Sequence, residues 1–319
     1  MKNESILSVK HLSLSFHMYE KGLEQYDLKV ISNMTLDVRP GEIVAIAGSS
    51  GSGKSLLAHA VMGLLPENAA ISGEISYKGK VLSQKDKEKL RGKEFALVPQ
   101  SVSFLDPLIK VEAQVRGPKP DMAKIEAQKE IFKRFQLDEK TEKLYPFQLS
   151  GGMARRVLVS TAVLSGAEVI IADEPTPGLD LDMAMEALKV FRELADEGKA
   201  VILITHDIDL AFHMADRIAV FYAGTTVEMA EAEDFRQGEH ALRHPYSKAL
   251  WRALPQNGFE PISGFQPYAK YLPKGCLFSP RCPYKTEKCE EKIPMREVRG
   301  GYVRCIHACL LYTSDAADD

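Results

Sequence analysis

The run Gly48-Ser49-Ser50-Gly51-Ser52-Gly53-Lys54-Ser55 decides how this chain is read. It matches the spacing G-x-x-x-x-G-K-[ST], and its flanks give that spacing a physical meaning. Before it stands Ile43–Ala47, five apolar residues between Gly41 and Gly48, which reads as a buried strand. After it, residues 56–65 place Leu56, Leu57, Ala60, Val61 and Leu64 on one face and stop at Pro66, which reads as a helix. Glycines between the two let backbone N–H groups turn inward onto phosphate oxygens, and the helix N-terminus adds partial positive charge. Lys54 can reach β- and γ-phosphates, and Ser55 offers a hydroxyl to Mg²⁺. The competing reading is a coincidental glycine-rich turn, which the strand–loop–helix context argues against.

Outward from this loop, short apolar runs alternate with helical patterns through residue 235, the mark of an α/β domain. Further strands are expected at 95–98, 169–172, 201–205 and 218–222, and a hairpin at 74–81 turning at Lys78-Gly79. A helix is expected over 182–197, capped by Asp180 and ended by Gly198. Residues 100–149 turn polar and helical, as an inserted helical subdomain would. Residues 255–305 are rich in Pro, Gly, Cys and basic side chains and suggest a loop-rich appendage.

Two further motifs carry chemistry. In VIIADEP (169–175) an apolar strand ends in Asp173-Glu174, at the sheet edge where open α/β folds bind ligands. Asp173 suits Mg²⁺, and Glu174 can orient or deprotonate an attacking water; the plainer reading is a carboxylate pair capping a turn. In LSGGM (149–153) Ser150 is a good N-cap, and Gly151 and Gly152 expose N–H groups at a second helix start. Taken alone, that run is equally a capped helix.

The 319 residues suffice for one large domain and a smaller one, with 45% apolar and 27% charged residues pointing to a sizeable core. A net charge of −3 gives no argument for nucleic acid as a partner. No secretory signal is seen, and the apolar runs fall far below the ~18 residues of a spanning helix. The expectation is a cytosolic or peripheral protein whose work across a membrane passes through other chains.

With these residues in view, a family resemblance follows. GSSGSGKS, Gln100 after an apolar strand, LSGGM, VIIADEP, PGLD (177–180) and ITHD around His206 occur in the order found in ATP-binding cassette ATPases. The resemblance spans residues 7–235 and implies a P-loop NTPase core, with a helical subdomain at about 101–165 inside a nucleotide-binding domain of residues 1–239. It implies ATP and Mg²⁺ as ligands, with Ser55, Gln100 and Asp173 at the metal and Lys54, Gln100, Glu174 and His206 at the chemistry. It implies that Ser150, Gly151 and Gly152 touch ATP held by an opposing subunit, that Asp180 lies at that dimer interface, and that Phe16 stacks on adenine. Core packing is the alternative for Phe16. The other histidines, His59, His213, His240 and His244, read as ordinary surface or packing residues.

HPYSKAL (244–250), GCLFSPRCPYKTEKC (275–289) and YPFQLSGGM (145–153) narrow the resemblance to dipeptide, oligopeptide and nickel importer ATPases, with residues 240–308 as their C-terminal extension. The chain departs from that family at MARR (153–156), where Met-Arg-Gln-Arg is usual, and at PTPGLD, where PTTALD is commoner. The partners implied are a homologous second ATPase subunit, two transmembrane permeases and, through them, an extracytoplasmic solute-binding protein. The implied location is the cytoplasmic face of the membrane, with no nucleic acid involved. A nickel importer ATPase, a soluble cassette ATPase and an iron–sulfur sensor are the rival readings. Intact Lys54, Asp173, Glu174 and His206 speak against the last.

Cys276, Cys282, Cys289 and Cys305 lack the C-x₂-C pair of zinc ribbons. Four thiolates can hold a [4Fe–4S] cluster, and residues 270–305 carry nine Lys/Arg against four Glu, which would favour an anionic centre. Some ATPases that this segment resembles carry such a cluster; free thiols in a loop-rich lobe are the other reading. The resemblance fades at Ala308, so CLLYTSDAADD (309–319) is expected to be a disordered or artefactual tail, and Cys309 is left out of the ligand set.

Overall fold

The structure is a computed structural model that describes residues 4–308 apart from 21 and 23; the expected tail and Cys309 lie outside the described residues. In chain order the first elements are β1 (Leu7–Tyr19), β2 (Gln25–Val38), β3 (Ile43–Ala47), α1 (Lys54–Met62), β4 (Ala69–Tyr77), β5 (Lys80–Val81) and α2 (Gln84–Leu90). Then come β6 (Phe95–Val98), α3 (Val111–Arg116), α4 (Met122–Arg134), α5 (Gly151–Val163), β7 (Val169–Asp173), α6 (Leu181–Asp196) and β8 (Ala200–Thr205). The chain closes with α7 (Ile208–Met214), β9 (Arg217–Tyr222), β10 (Thr225–Glu231), α8 (Ala232–Gln237), α9 (Pro245–Arg252), β11 (Arg296–Val298) and β12 (Gly301–Val303). Two compact units result: one from residues up to 37, 44–82 and 205 onward, the other from 38–43 and 83–204.

In the first unit, β3 consists of five apolar residues, all buried. It runs parallel to β9, with Val44 opposite Arg217 and Ala47 opposite Val220. From β9 the ladder continues antiparallel through β10, β12 and β11. A second sheet has the order β2-β1-β4-β5. Its β1 buries Leu7, Val9, Leu12 and Leu14, and the period-2 alternation slips at the register shift between Lys10 and Ser13. The β4–β5 hairpin turns at Lys78-Gly79 as expected, both with positive φ (48° and 77°), the backbone that follows the twist of paired strands.

The helix after the phosphate loop begins two residues earlier than expected, because Gly53 takes φ 97° and caps it from within the motif. It also ends earlier, at Gly63 (φ 66°) instead of at Pro66, since a left-handed glycine stops a helix before proline needs to. Beyond α9 the extension holds only short 3₁₀ turns until β11, in keeping with the loop-rich reading. Its core is aromatic: Tyr246 and Phe278 lie 5.3 Å apart, and both face Tyr222, at 4.5 and 5.4 Å. Such ring pairs add about 0.5–1.5 kcal/mol each beyond the area they bury.

In the second unit β6, β7 and β8 are parallel, with Phe95 opposite Val169 and Val169 opposite Ala200. Helix α6 buries Met183, Ala187, Leu188, Val190, Phe191 and Ala195, one apolar stripe at helical spacing. The polar stretch 100–149 forms α3, α4 and short 3₁₀ turns. Arg134 ties α4 to α6 through Glu193, at 2.6 and 2.9 Å, and Glu186. Among the described residues no helix is long and apolar enough to cross a membrane.

Candidate nucleotide site

At the end of β3 the chain enters the loop through Gly48. A Cβ there would lie 2.1 Å from the Phe221 carbonyl oxygen of β9, so only glycine lets the strand leave the sheet at this point. Lys54, the first residue of α1 and buried, donates from Nζ to the carbonyls of Gly48 (2.8 Å) and Ser49 (2.9 Å). The ammonium thus sits inside the loop it serves. Ser52 is buried and its hydroxyl has no hydrogen-bond partner, an orphan donor suited to an anion. Ser55 opens the same helix, where its hydroxyl is a hard oxygen of the kind Mg²⁺ accepts. These features fit a nucleotide phosphate chain with its metal.

In the second unit β7 delivers Asp173 and then Glu174, both buried. Glu174 takes φ +48°, a left-handed backbone that costs a non-glycine residue about 1 kcal/mol or more. Its amide is fixed by the Ile204 carbonyl at 2.9 Å. Two residues the chemistry would use are therefore held by main-chain bonds and not by their side chains alone.

Arg155, to which the sequence assigns no role, binds this region together. Buried on α5, it donates to the carbonyls of Pro99 (2.6 Å) and Gln100. Burial pushes its pKa down, and the charges of Asp173 and Glu174 push it back up. The only signal in the sequence was the departure MARR. Gln100 itself is exposed just after β6, ahead of a turn capped by Ser101.

Ser150 caps α5 as expected, accepting from the Met153 amide at 3.3 Å. Asp180 caps α6 in the same way, at 3.0 Å from the Met183 amide. The starts of these two helices approach each other, for a Cβ on Gly152 would meet the Gly178 carbonyl at 3.3 Å. Ser150, Gly151 and Asp180 are exposed.

Phe16 lies on β1, half-buried and opposite Ala69. His206 is exposed between β8 and α7, just before Asp207, which caps α7 through the Leu210 amide at 3.1 Å.

The cysteine expectation needs correction. The four thiols are free and share one lobe, close enough that Cys276, Cys282 and Cys289 all act electrostatically on Cys305. Among the described residues, however, no group of three or more His, Cys, Asp or Glu side chains is placed to hold a metal ion. Two of the sulfurs meet the same histidine instead. Cys305 accepts from the His307 amide at 3.4 Å, and Cys289 lies 3.6 Å from the His307 ring. Burial raises the thiol pKa at Cys276, to about 11 at Cys282 and to about 12 at Cys305. As placed, these residues do not fit an iron–sulfur centre.

Comparison with known proteins gives the family. Residues 31–177 match the family described as ABC transporter, and residues 227–289 match the oligopeptide/dipeptide transporter C-terminal region. The chain is 34% identical to the oligopeptide transport ATP-binding protein of Escherichia coli (strain K12), over 94% of this chain and 92% of that one. It is 35% identical to the dipeptide transport ATP-binding protein of Bacillus subtilis (strain 168), over 93% and 92%. Among solved structures it resembles a dimeric ATP-binding cassette in a post-hydrolysis state bound to ADP and phosphate. That match has a TM-score of 0.62 at 27% identity and covers 71% of this chain and 98% of the other.

Proposed function

The chain belongs to the ATP-binding subunits of ABC transporters, and from that premise we propose that its ATPase activity energises the import of di- or oligopeptides. The observation that carries the peptide reading is the match of residues 227–289 to the C-terminal region of oligopeptide and dipeptide transporters. A fold shared by many transport ATPases would not by itself choose the solute.

In this reading the loop at 48–55 holds the phosphates, with Lys54 at the β- and γ-groups. Glu174 orients or deprotonates the attacking water, Gln100 contacts that water or Mg²⁺, His206 contacts the γ-phosphate, and Phe16 meets the adenine. Mg²⁺, when bound, would neutralise charge developing on the phosphates, and Ser55, Gln100 and Asp173 are the residues that would hold it. Ser150, Gly151 and Gly152 complete the site of a homologous second subunit, with Asp180 between the two. Permeases in the membrane take up the resulting motion, which places this chain on the cytoplasmic face as a peripheral subunit.

Deleting this chain from cells that carry its permeases tests the proposal. Uptake of labelled di- and oligopeptides should be lost and restored by the wild-type chain but not by Lys54→Ala. Undiminished peptide uptake together with lost nickel uptake would reassign the solute.

A further inference from the structure

Ser49, the second residue of the phosphate loop, is held from the far end of the chain. Its hydroxyl donates to Gln266 Oε1 at 2.5 Å, across 217 residues of sequence. The Tyr246 hydroxyl also faces this serine: burial raises its pKa, and the side chain and main chain of Ser49 act to lower it. Tyr246 is the tyrosine of HPYSKAL, is buried, and is wedged against Tyr222 and Phe278. Ser49 in turn offers its carbonyl to Lys54 Nζ at 2.9 Å. Gln266 also belongs to a strap, residues 266–269 with Leu272, that forms one wall of a cavity of about 440 Å³; loop residues 50–53 form another.

We propose that Gln266 and Tyr246 are positioning residues for ATP binding, through Ser49 and the ammonium of Lys54. The C-terminal extension is then part of the phosphate-binding machinery and not an appendage beside it. The physical basis is preorganisation. A loop whose second residue is pinned spends less free energy on ordering when triphosphate arrives. Neither residue touches the phosphates by this argument, so their effect is carried by the geometry of the loop. The inference rests on the reading that residues 48–55 hold ATP.

The test measures the affinity of the full chain for a fluorescent ATP analogue, and KM and kcat for ATP in the assembled transporter. Gln266→Met keeps the side-chain length and removes the acceptor; Ser49→Ala removes the donor. Each should raise Kd and KM about three- to tenfold, the scale of one hydrogen bond plus lost preorganisation, while kcat stays within about twofold. The double variant should bind no more weakly than the weaker single one, because both substitutions break the same link. Tyr246→Phe, which removes only a hydroxyl, should shift Kd in the same direction and serves if Gln266→Met does not fold. Parent-like affinity in Gln266→Met, or losses that multiply in the double variant, would overturn the proposal. A parent chain that failed to bind the analogue would instead refute the ATP reading beneath it.

Discussion

Glu174 holds a left-handed backbone at φ +48° directly after a fully buried strand, with its amide on the Ile204 carbonyl. Strain of this kind persists only where the surroundings enforce it, and here it fixes where the carboxylate leaves the main chain. Glu174→Gln keeps that geometry and removes the basicity. Turnover in the assembled complex should fall about 10²- to 10⁴-fold with ATP affinity nearly unchanged; near-parental turnover would remove Glu174 as the base. Arg155 presents a different case. It is the buried donor to the Pro99 and Gln100 carbonyls and the cation facing Asp173 and Glu174. Arg155→Met strips both, and each carbonyl left without a donor costs about 1–3 kcal/mol. We expect kcat to drop at least about tenfold, with KM for ATP little changed, since the phosphate loop is untouched. Arg155→Gln restores the residue usual in the family and should recover activity in part, through its donors but without its charge. Equal kcat in all three proteins would leave Arg155 a packing residue.

Among the elements, α9 shows how a motif with no assigned chemistry does structural work. His244 is its N-cap: Nδ1 accepts from the Tyr246 amide at 3.0 Å, which requires a neutral ring with its proton on Nε2. Burial first, and the charge of Arg304 second, hold the His244 pKa down to about 3 from its ordinary 6.5. Above pH 6.5 the ring is neutral whether folded or unfolded, so the cap contributes fully there. As pH falls from 6.5 toward 3, the unfolded chain takes up a proton that the folded one refuses. Stability then declines by up to about 1.4 kcal/mol per pH unit. The melting temperature should therefore fall between pH 6.5 and 5, and His244→Asn, a cap that does not titrate, should flatten that slope. Parallel slopes in the two proteins would place the acid sensitivity elsewhere. In the sequence His244 reads as an ordinary surface or packing residue, because a capping bond inside a buried aromatic cluster leaves no local pattern. β3, β6 and α6 are legible almost to the residue, since unbroken apolar runs and a clear helical stripe report burial directly. β1 and β2 are not, because their alternation is interrupted by a register shift and by half-exposed positions. The cysteines are hard to read for a related reason: spacing along the chain does not say whether sulfurs that share a lobe are also placed to hold a metal ion, and among the described residues no such group is found.

For the whole molecule the question is where one chain's chemistry ends. The motifs from Gly48 to His206 were all legible, because each pairs a backbone requirement with a charge requirement at fixed spacing. What they do jointly follows only from the family resemblance, which implies that residues 150–152 meet ATP held by an opposing subunit. Ser150 and Gly151 stand exposed at the start of α5, and no heavy atom lies within 4 Å of where a Cβ on Gly151 would sit. An uncovered helix start of this kind attracts anions, and glycine leaves it open to a phosphate brought from outside. Under the proposed two-subunit arrangement, that phosphate belongs to ATP on the second subunit. The consequence is asymmetric and measurable. Ser150→Arg should leave ATP binding by this chain intact, since its own loop is unaltered, yet suppress hydrolysis at the partner's site about 10²-fold or more. The isolated chain should likewise bind ATP and hydrolyse it far more slowly than the assembled transporter. Equilibrium binding and single-turnover hydrolysis, on the chain alone and in complex, separate these outcomes. A dilute monomer that turned over at the rate of the complex would show that the site is finished within one chain and that residues 150–152 serve only to cap α5.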